Sequence, residues 1–240
     1  MPRFFCRDIA NGQIRITGAD AHHIGRVLRM RVGEELTVCD EQGTDYRGVI
    51  ASIAPQEVML DVIDTSPTLS EPSLQVTLYQ GVPKSDKMDW IIQKTVELGI
   101  ARIVPVQTAR SIARADGDRS TKKQERWQRI AAEAAGQSGR GKIPAVSAPL
   151  SWVQMLAELE PAHTLVFYEG GGQPLTTLVS RDSARLNMIV GPEGGFAPEE
   201  IEELVTRGVI PATLGKRILR CETAPVAALA AVMCLSGNME

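Results

Sequence analysis

From residue 74 onward, short apolar runs alternate with segments of helical period, and this alternation constrains the chain more than any other feature. Residues 74–80, 100–106, 164–168, 187–190 and 212–214 read as strands. Between the first two, Met88, Ile91, Ile92 and Val96 share one face of a predicted helix that Ser85 caps and Gly99 stops. Residues 120–137 predict a second helix, with Trp127, Ile130, Ala131 and Ala134 on one side. Ser151 caps a third through Trp152, Met155, Leu156 and Leu159. Pro198 opens a fourth, with Glu199 and Glu200 in the first turn, where the helix dipole favours acids. A last helix runs over 224–235 and ends at Gly237. Such alternation predicts an α/β domain with a mostly parallel sheet.

The first 65 or so residues follow another rule. Residues 13–17, 35–39, 45–53 and 57–63 carry β-branched side chains in partial alternation, punctuated by Gly33, Gly43 and Pro55. Short strands without long helices suggest a small β-barrel. One helical stretch interrupts them, with Asp20 as its cap and His22, Ile24, Val27 and Leu28 following. Residues 65–73 (TSPTLSEPS) have the composition of a linker, which puts the expected domains at 1–70 and 71–240.

Charge distribution says more than net charge. The 240-residue chain carries a formal charge of −3, yet residues 107–142 hold nine basic side chains against four acidic ones. A solvated helix face or a phosphate-binding surface accounts for that excess equally well. No apolar run has the length of a membrane span, and the start shows no signal-peptide pattern, so a cytoplasmic location is expected. Cys6, Cys39, Cys221 and Cys234 form no C-x-x-C pair, and His22, His23 and His163 complete no zinc set or catalytic triad, so no metal is expected.

Three strand ends concentrate the candidate chemistry. Tyr168 is followed by EGGG, Val190 by GPEGG, and Leu214 by GKRILRCET. Ligands of open α/β sheets bind beyond the carboxyl ends of strands, and glycine there admits close backbone approach. Glycines that merely turn the chain are the plain alternative for each loop. The dinucleotide G-x-G-x-x-G, the phosphate-loop G-x-x-x-x-G-K-[ST] and the G-x-S-x-G elbow are all missing. Arg217, Arg220 and Glu222 lie just before an apolar helix, where charges need partners or a ligand. An Arg220–Glu222 salt bridge is the simpler reading.

GPEGGF at 191–196, LGKRILR at 214–220 and ETA at 222–224 closely resemble signatures of the RsmE family. These are bacterial small-subunit ribosomal RNA uridine N3-methyltransferases of the SPOUT class. HIGRVLR at 23–29, KSDKMDWIIQKTVELG at 84–99, Arg126-Trp127 and EAAGQSGR at 133–140 extend the likeness over nearly the whole chain. The resemblance implies a PUA-like RNA-binding β-barrel ahead of a SPOUT-type knotted α/β methyltransferase domain, ending in a trefoil knot, in a homodimer. It implies S-adenosyl-L-methionine as cofactor and 16S rRNA of the small ribosomal subunit as partner, with N3 of one uridine as acceptor. Another SPOUT RNA methyltransferase, acting on a ribose 2′-hydroxyl or a different base, is the nearest alternative. An RNA-binding assembly factor and a small-molecule methyltransferase are more distant ones.

Carried onto this sequence, the catalytic residues are Arg220 and Glu222. Arg220 would stabilise charge on the base, and Glu222 would accept its proton, with Glu169 and Glu193 behind it. Cofactor-binding positions are Val166, Glu169, Gly170, Gly191, Glu193, Gly194, Leu214, Gly215, Arg217, Ile218, Leu219, Thr223 and Ala224. Arg26, Arg29, Lys84, Arg110, Arg126 and Arg140 are expected on RNA. Two positions depart from the family pattern. Cys221 stands where threonine is common, and Ala197 where a serine cap is commoner, at an expected cost of about 1 kcal/mol.

Overall fold

The computed structural model describes residues 3–111 and 118–240, except for the side chains of 118 and 119. Arg114 and Asp116 of the basic stretch, and the side chains of Asp118 and Arg119, lie outside the described residues. The chain divides into two compact units.

The first unit takes Met1–Glu71 and also Ala135–Ile143, a segment the expected boundary had assigned to the second domain. Its strands are β1 (Arg3–Phe5), β2 (Ile9–Ala10), β3 (Gln13–Thr17), β4 (Glu35–Cys39), β5 (Thr44–Ala54) and β6 (Glu57–Pro67). They form one sheet in the order β1-β4-β5-β6-β3-β2, antiparallel except for β1 beside β4. Strict alternation in β3 turns Ile14 and Ile16 inward, where they meet Phe4, Leu36, Val38, Ile50, Val58 and Leu60 in one core. Register shifts at Arg47/Gly48 and Ile50/Ser52 coil the sheet around that core.

Two expectations need correction here. β6 continues through Thr65, Ser66 and Pro67, which pair with Tyr46, Asp45 and Thr44, so the first third of the predicted linker is strand. Polar composition masked it, because this end of β6 is exposed and needs no apolar alternation. Asp20 is not a cap. It lies inside the short helix α1 (Gly18–His22), which Thr17 precedes and which widens into a π-turn over His23–Val27.

The second unit holds β7 (Gln75–Gly81), α2 (Lys87–Glu97), β8 (Arg102–Gln107), the start of α3 (Asp118–Gln137), β9 (Ala145–Val146), β10 (Leu150–Ser151) and α4 (Trp152–Glu158). After these come β11 (Thr164–Phe167), β12 (Gln173–Pro174), β13 (Arg185–Val190), α5 (Pro198–Thr206), β14 (Ile210–Thr213) and α6 (Thr223–Leu235). The sheet order is β10-β8-β7-β13-β11-β14-β12, with β9 beside β8, and every pairing is parallel. All carboxyl ends therefore share one edge. Chain order reverses between β7, whose sequential neighbour β8 lies to one side, and β13 on the other, the kind of switch that opens a crevice.

In this unit the local signals hold at the starts of α4 and α5 and fail at α2. Ser151 and Gln154 cap α4 reciprocally, the Ser151 Oγ accepting from the Gln154 N–H and the Gln154 Oε1 from the Ser151 N–H. Ala197 offers no oxygen ahead of α5. Buried Glu200 offsets this by accepting from the Ala197 N–H and the Ala109 N–H, each at 2.8 Å. Ser85 does not cap α2. Its φ of 55° puts it in the left-handed region, and the helix starts two residues later.

Candidate active site

A cavity of about 940 Å³ opens at the carboxyl edge of β11, β13 and β14. Its wall is made by the loops after those three strands, together with Lys87 from α2 and Ala224 from α6. Its volume lies in the range of small-molecule sites.

The backbone around it is closely fitted. Gln80 at the end of β7 is fully buried, and its amide donates to the carbonyls of Gly81 at 3.0 Å and Gly191 at 3.2 Å. A Cβ on Gly81 would lie 2.5 Å from Pro192 Cδ and 2.7 Å from Pro192 N. Gly195 has a φ of 65°, and a Cβ there would lie 3.1 Å from Glu169 Oε1. Glycine at these positions is demanded by contact and by conformation, beyond what turning the chain requires.

Charge is arranged around Lys87. Its Nζ lies 3.1 Å from Glu193 Oε1, 3.1 Å from Glu222 Oε2 and 3.7 Å from Cys221 Sγ. The two carboxylates hold the ammonium above the usual lysine range. Desolvation alone would raise the Glu193 carboxyl. Its own N–H, the Lys87 ammonium and the Lys84 N–H together hold it below the ordinary value. Glu222 is likewise lowered against desolvation, by its own N–H, the Cys221 thiol and Lys87. Burial pushes the Cys221 thiol up to about 12, helped by its bond to Glu222 at 3.2 Å, so it stays protonated and donates.

Of the residues expected at the site, Glu169, Gly170, Gly191, Glu193, Gly194, Leu214, Gly215, Arg217, Ile218, Leu219, Arg220 and Ala224 stand on the wall. Val166 does not. It is fully buried in the core with Tyr79, Val104 and Ile189, because β11 is an interior strand. Thr223, the exposed first residue of α6, is also off the wall. Glu222 is itself off the wall and meets it through Lys87 and Cys221. Its pairing with Lys87 lowers its proton affinity, which counts against it as a proton acceptor. The Arg220–Glu222 salt bridge does not form. Arg220 is exposed, and its guanidinium has no ion pair among the described residues. Its carbonyl accepts from the Thr223 and Ala224 N–H groups, each at 2.9 Å, which ties the backbone of Arg220 to the start of α6.

Lys87, Tyr168, Phe196, Thr213 and Lys216 also stand on the wall and were not expected there. Lys87 lies inside a quoted motif, but on a charged helix turn nothing local separates it from Lys84 or Lys94.

The basic residues divide by what they already hold. Arg26 and Arg29 in the first unit and Lys84 in the second are exposed. Arg110 donates to the Gly194 carbonyl at 2.8 Å. Arg126 pairs with Asp89 and stands 3.8 Å from Asp86, with half its side chain exposed. Arg140 is corrected. It is 4% exposed and paired with Glu71 at 2.7 Å, so its guanidinium is turned inward, away from any phosphate. Among the described residues, no group of His, Cys, Asp and Glu is placed to hold a metal ion, and no helix is long and apolar enough to cross a membrane.

A crevice of this kind, at the switch edge of a parallel sheet, defines a class once the sequence comparisons are set beside it. Residues 70–233 match the RNA methyltransferase domain family, and residues 16–63 the RNA methyltransferase PUA domain. The ribosomal RNA small subunit methyltransferase E of Bacillus subtilis is 37% identical over 225 residues, 90% of this chain and 88% of that protein. The enzyme of the same name from Neisseria gonorrhoeae, solved bound to S-adenosyl methionine, is 32% identical with a TM-score of 0.90 over 98% of each chain. A putative methyltransferase of Legionella pneumophila, solved with the same cofactor, is 28% identical with a TM-score of 0.88 over 97% of this chain and 96% of that one. The chain belongs to the ribosomal RNA small subunit methyltransferase E family, and its fold is a PUA domain followed by an α/β RNA methyltransferase domain.

Proposed function

We propose that this chain transfers a methyl group from S-adenosyl-L-methionine to N3 of one uridine in 16S rRNA, with the described cavity holding the donor. One observation carries the reading: three glycine-bearing loops wall a single cavity and leave Arg220 on its rim without a partner among the described residues. The residues fit the donor. Apolar Phe167, Phe196, Leu214 and Leu219 suit an adenine, fitted glycine backbone suits close approach, and the carboxylates of Glu169 and Glu193 suit a cationic ligand.

The donor, when bound, supplies an electrophilic methyl carbon on a sulfonium. This chain must hold that carbon in line with uracil N3, and orientation supplies much of the acceleration. The N3 proton leaves to solvent, the N3 lone pair forms the new N–C bond, and the S–C bond electrons remain on sulfur. Arg220 meets the negative charge spread over the flanking uracil oxygens, as a fixed guanidinium fork can. Arg26 and Arg29, and separately Lys84, Arg110 and Arg126, contact RNA phosphates.

The family likeness extends the reading to a trefoil-knotted carboxyl end, a homodimer and a cytoplasmic location. α6 supports an interface: it is apolar, yet Ala227, Ala230 and Ala231 are only half-buried and Cys234 is exposed.

The test is to incubate the protein with unmodified small subunits and labelled donor, then map the label by mass spectrometry of digested RNA. A methyl on N3 of a single uridine is the expected product. A ribose methyl or another base would transfer the assignment to a sister activity.

Gly81→Ala gives a second check at a residue outside the cavity wall. Its methyl group collides with Pro192 backbone, and overpacking of this kind costs about 1–3 kcal/mol. Calorimetry is expected to show donor affinity falling by roughly 10- to 100-fold if the displaced 191–195 loop bears that cost.

A further inference from the structure

We propose that Lys87 is a positioning residue for methyl transfer, clamping the 191–195 loop and the 219–222 loop into one frame through Glu193 and Glu222. The inference rests on the methyl-transfer reading of the cavity and adds a residue to it.

Lys87 belongs to neither loop. It is the first residue of α2, and its ammonium makes both contacts at 3.1 Å from a wall position one-third exposed. The turn ahead of α2 is built for the reach. With Ser85 left-handed, the Lys84 N–H also donates to Glu193, at 3.1 Å to Oε1 and 3.2 Å to Oε2. On the other side, the Cys221 thiol donates to the Glu222 oxygen that Lys87 holds. Two carboxylates sharing one ammonium lie close enough to repel strongly when the cation is removed. Asp86 and Asp89, on the same turn of α2, add negative charge that Arg126 answers.

Geometry then connects the clamp to the chemistry. Glu222 lies two residues beyond Arg220 and directly before α6, whose first turn bonds the Arg220 carbonyl. Glu193 sits between Gly191 and Gly194, which also wall the cavity. Holding Glu193 to Glu222 therefore holds Arg220 against the loop that receives the donor. Lys87 touches no reacting atom in this account.

The experiment compares wild type, Lys87→Met, Lys87→Arg and the double variant Lys87→Met/Glu222→Gln. It reads single-turnover methylation of small subunits at two pH values, donor affinity, thermal midpoint, and hydrogen exchange of 191–195 and 219–222. K87M is expected to lose roughly 10- to 100-fold in the transfer rate, the scale of a 1 Å misplacement. K87R should recover most of that loss. The double variant should recover part, because one carboxylate remains instead of two. The K87M defect should shrink at lower pH, where a proton replaces the ammonium. K87M equal to active wild type, or K87R and the double variant as impaired as K87M, overturns the proposal. Should K87M fail to fold, K87R and the double variant decide by the same criteria. Absence of methyl transfer by wild type would count against the reading of the site. The clamp would still be decided by faster exchange of both loops in K87M, and unchanged exchange would reject it.

Discussion

Arg220→Ala is expected to lower single-turnover methylation of the small subunit by roughly 10²- to 10³-fold, with donor affinity nearly unchanged. The asymmetry follows from where Arg220 is held. Its backbone is fixed by two hydrogen bonds to the start of α6, while its exposed guanidinium has no ion pair among the described residues. A preorganised cation costs no reorganisation at the moment charge develops on the uracil oxygens. Lysine at the same position should restore little, because a point charge does not reproduce the fork. The pH profile supplies the sharper check. Without Arg220 the acceptor loses help in shedding its N3 proton, so the variant should regain activity as pH rises and more uridine ionises unaided. A variant with normal turnover, or one whose whole loss lies in donor affinity, would remove Arg220 from the chemistry.

The contrast with Glu222 shows what was legible in the chain. Alternation of apolar runs and helical periods located every long element of the second unit, since buried parallel strands and amphipathic helices leave different periods. Glycine clusters after strands located the cavity wall, because only backbone that must approach something closely repeats that residue three times at one sheet edge. What escaped depends on partners distant in sequence. Glu222 reads locally as a partner of Arg220 or as a base, and nothing near it in sequence shows that Lys87, contributed by α2, stands 3.1 Å from it. The family likeness put Val166 among the cofactor positions, but β11 is an interior strand whose four residues are all buried. Ser85 looked like a cap because nothing local reveals that the Lys84 N–H bonds Glu193. The return of Ala135–Ile143 to the first unit has no local signature either.

That return carries the largest stability effect expected in the molecule. Glu71 accepts from four donors: Arg140 Nη2 at 2.7 Å, Arg140 Nε at 3.2 Å, the Gly141 N–H at 2.9 Å and the Lys142 N–H at 3.2 Å. Arg140 is 4% exposed, so Glu71→Ala leaves a buried guanidinium without its principal counter-ion and should destabilise the fold by about 3–5 kcal/mol, measured by urea unfolding. Glu71→Gln keeps the shape without the charge and should fall between. The pH dependence has a definite sign. Desolvation acts to raise the Glu71 carboxyl, but Arg140 and the two backbone N–H groups hold it below its ordinary 4.5. Its contribution is therefore complete above that ordinary value and is lost as pH falls through the lowered folded one. In Glu71→Ala that acid-side loss should be missing from the stability profile. Arg140→Ala separates structure from RNA contact. It should destabilise the fold, yet leave the salt dependence of ribosomal subunit binding unchanged, whereas loss of a phosphate contact reduces that slope by about 1.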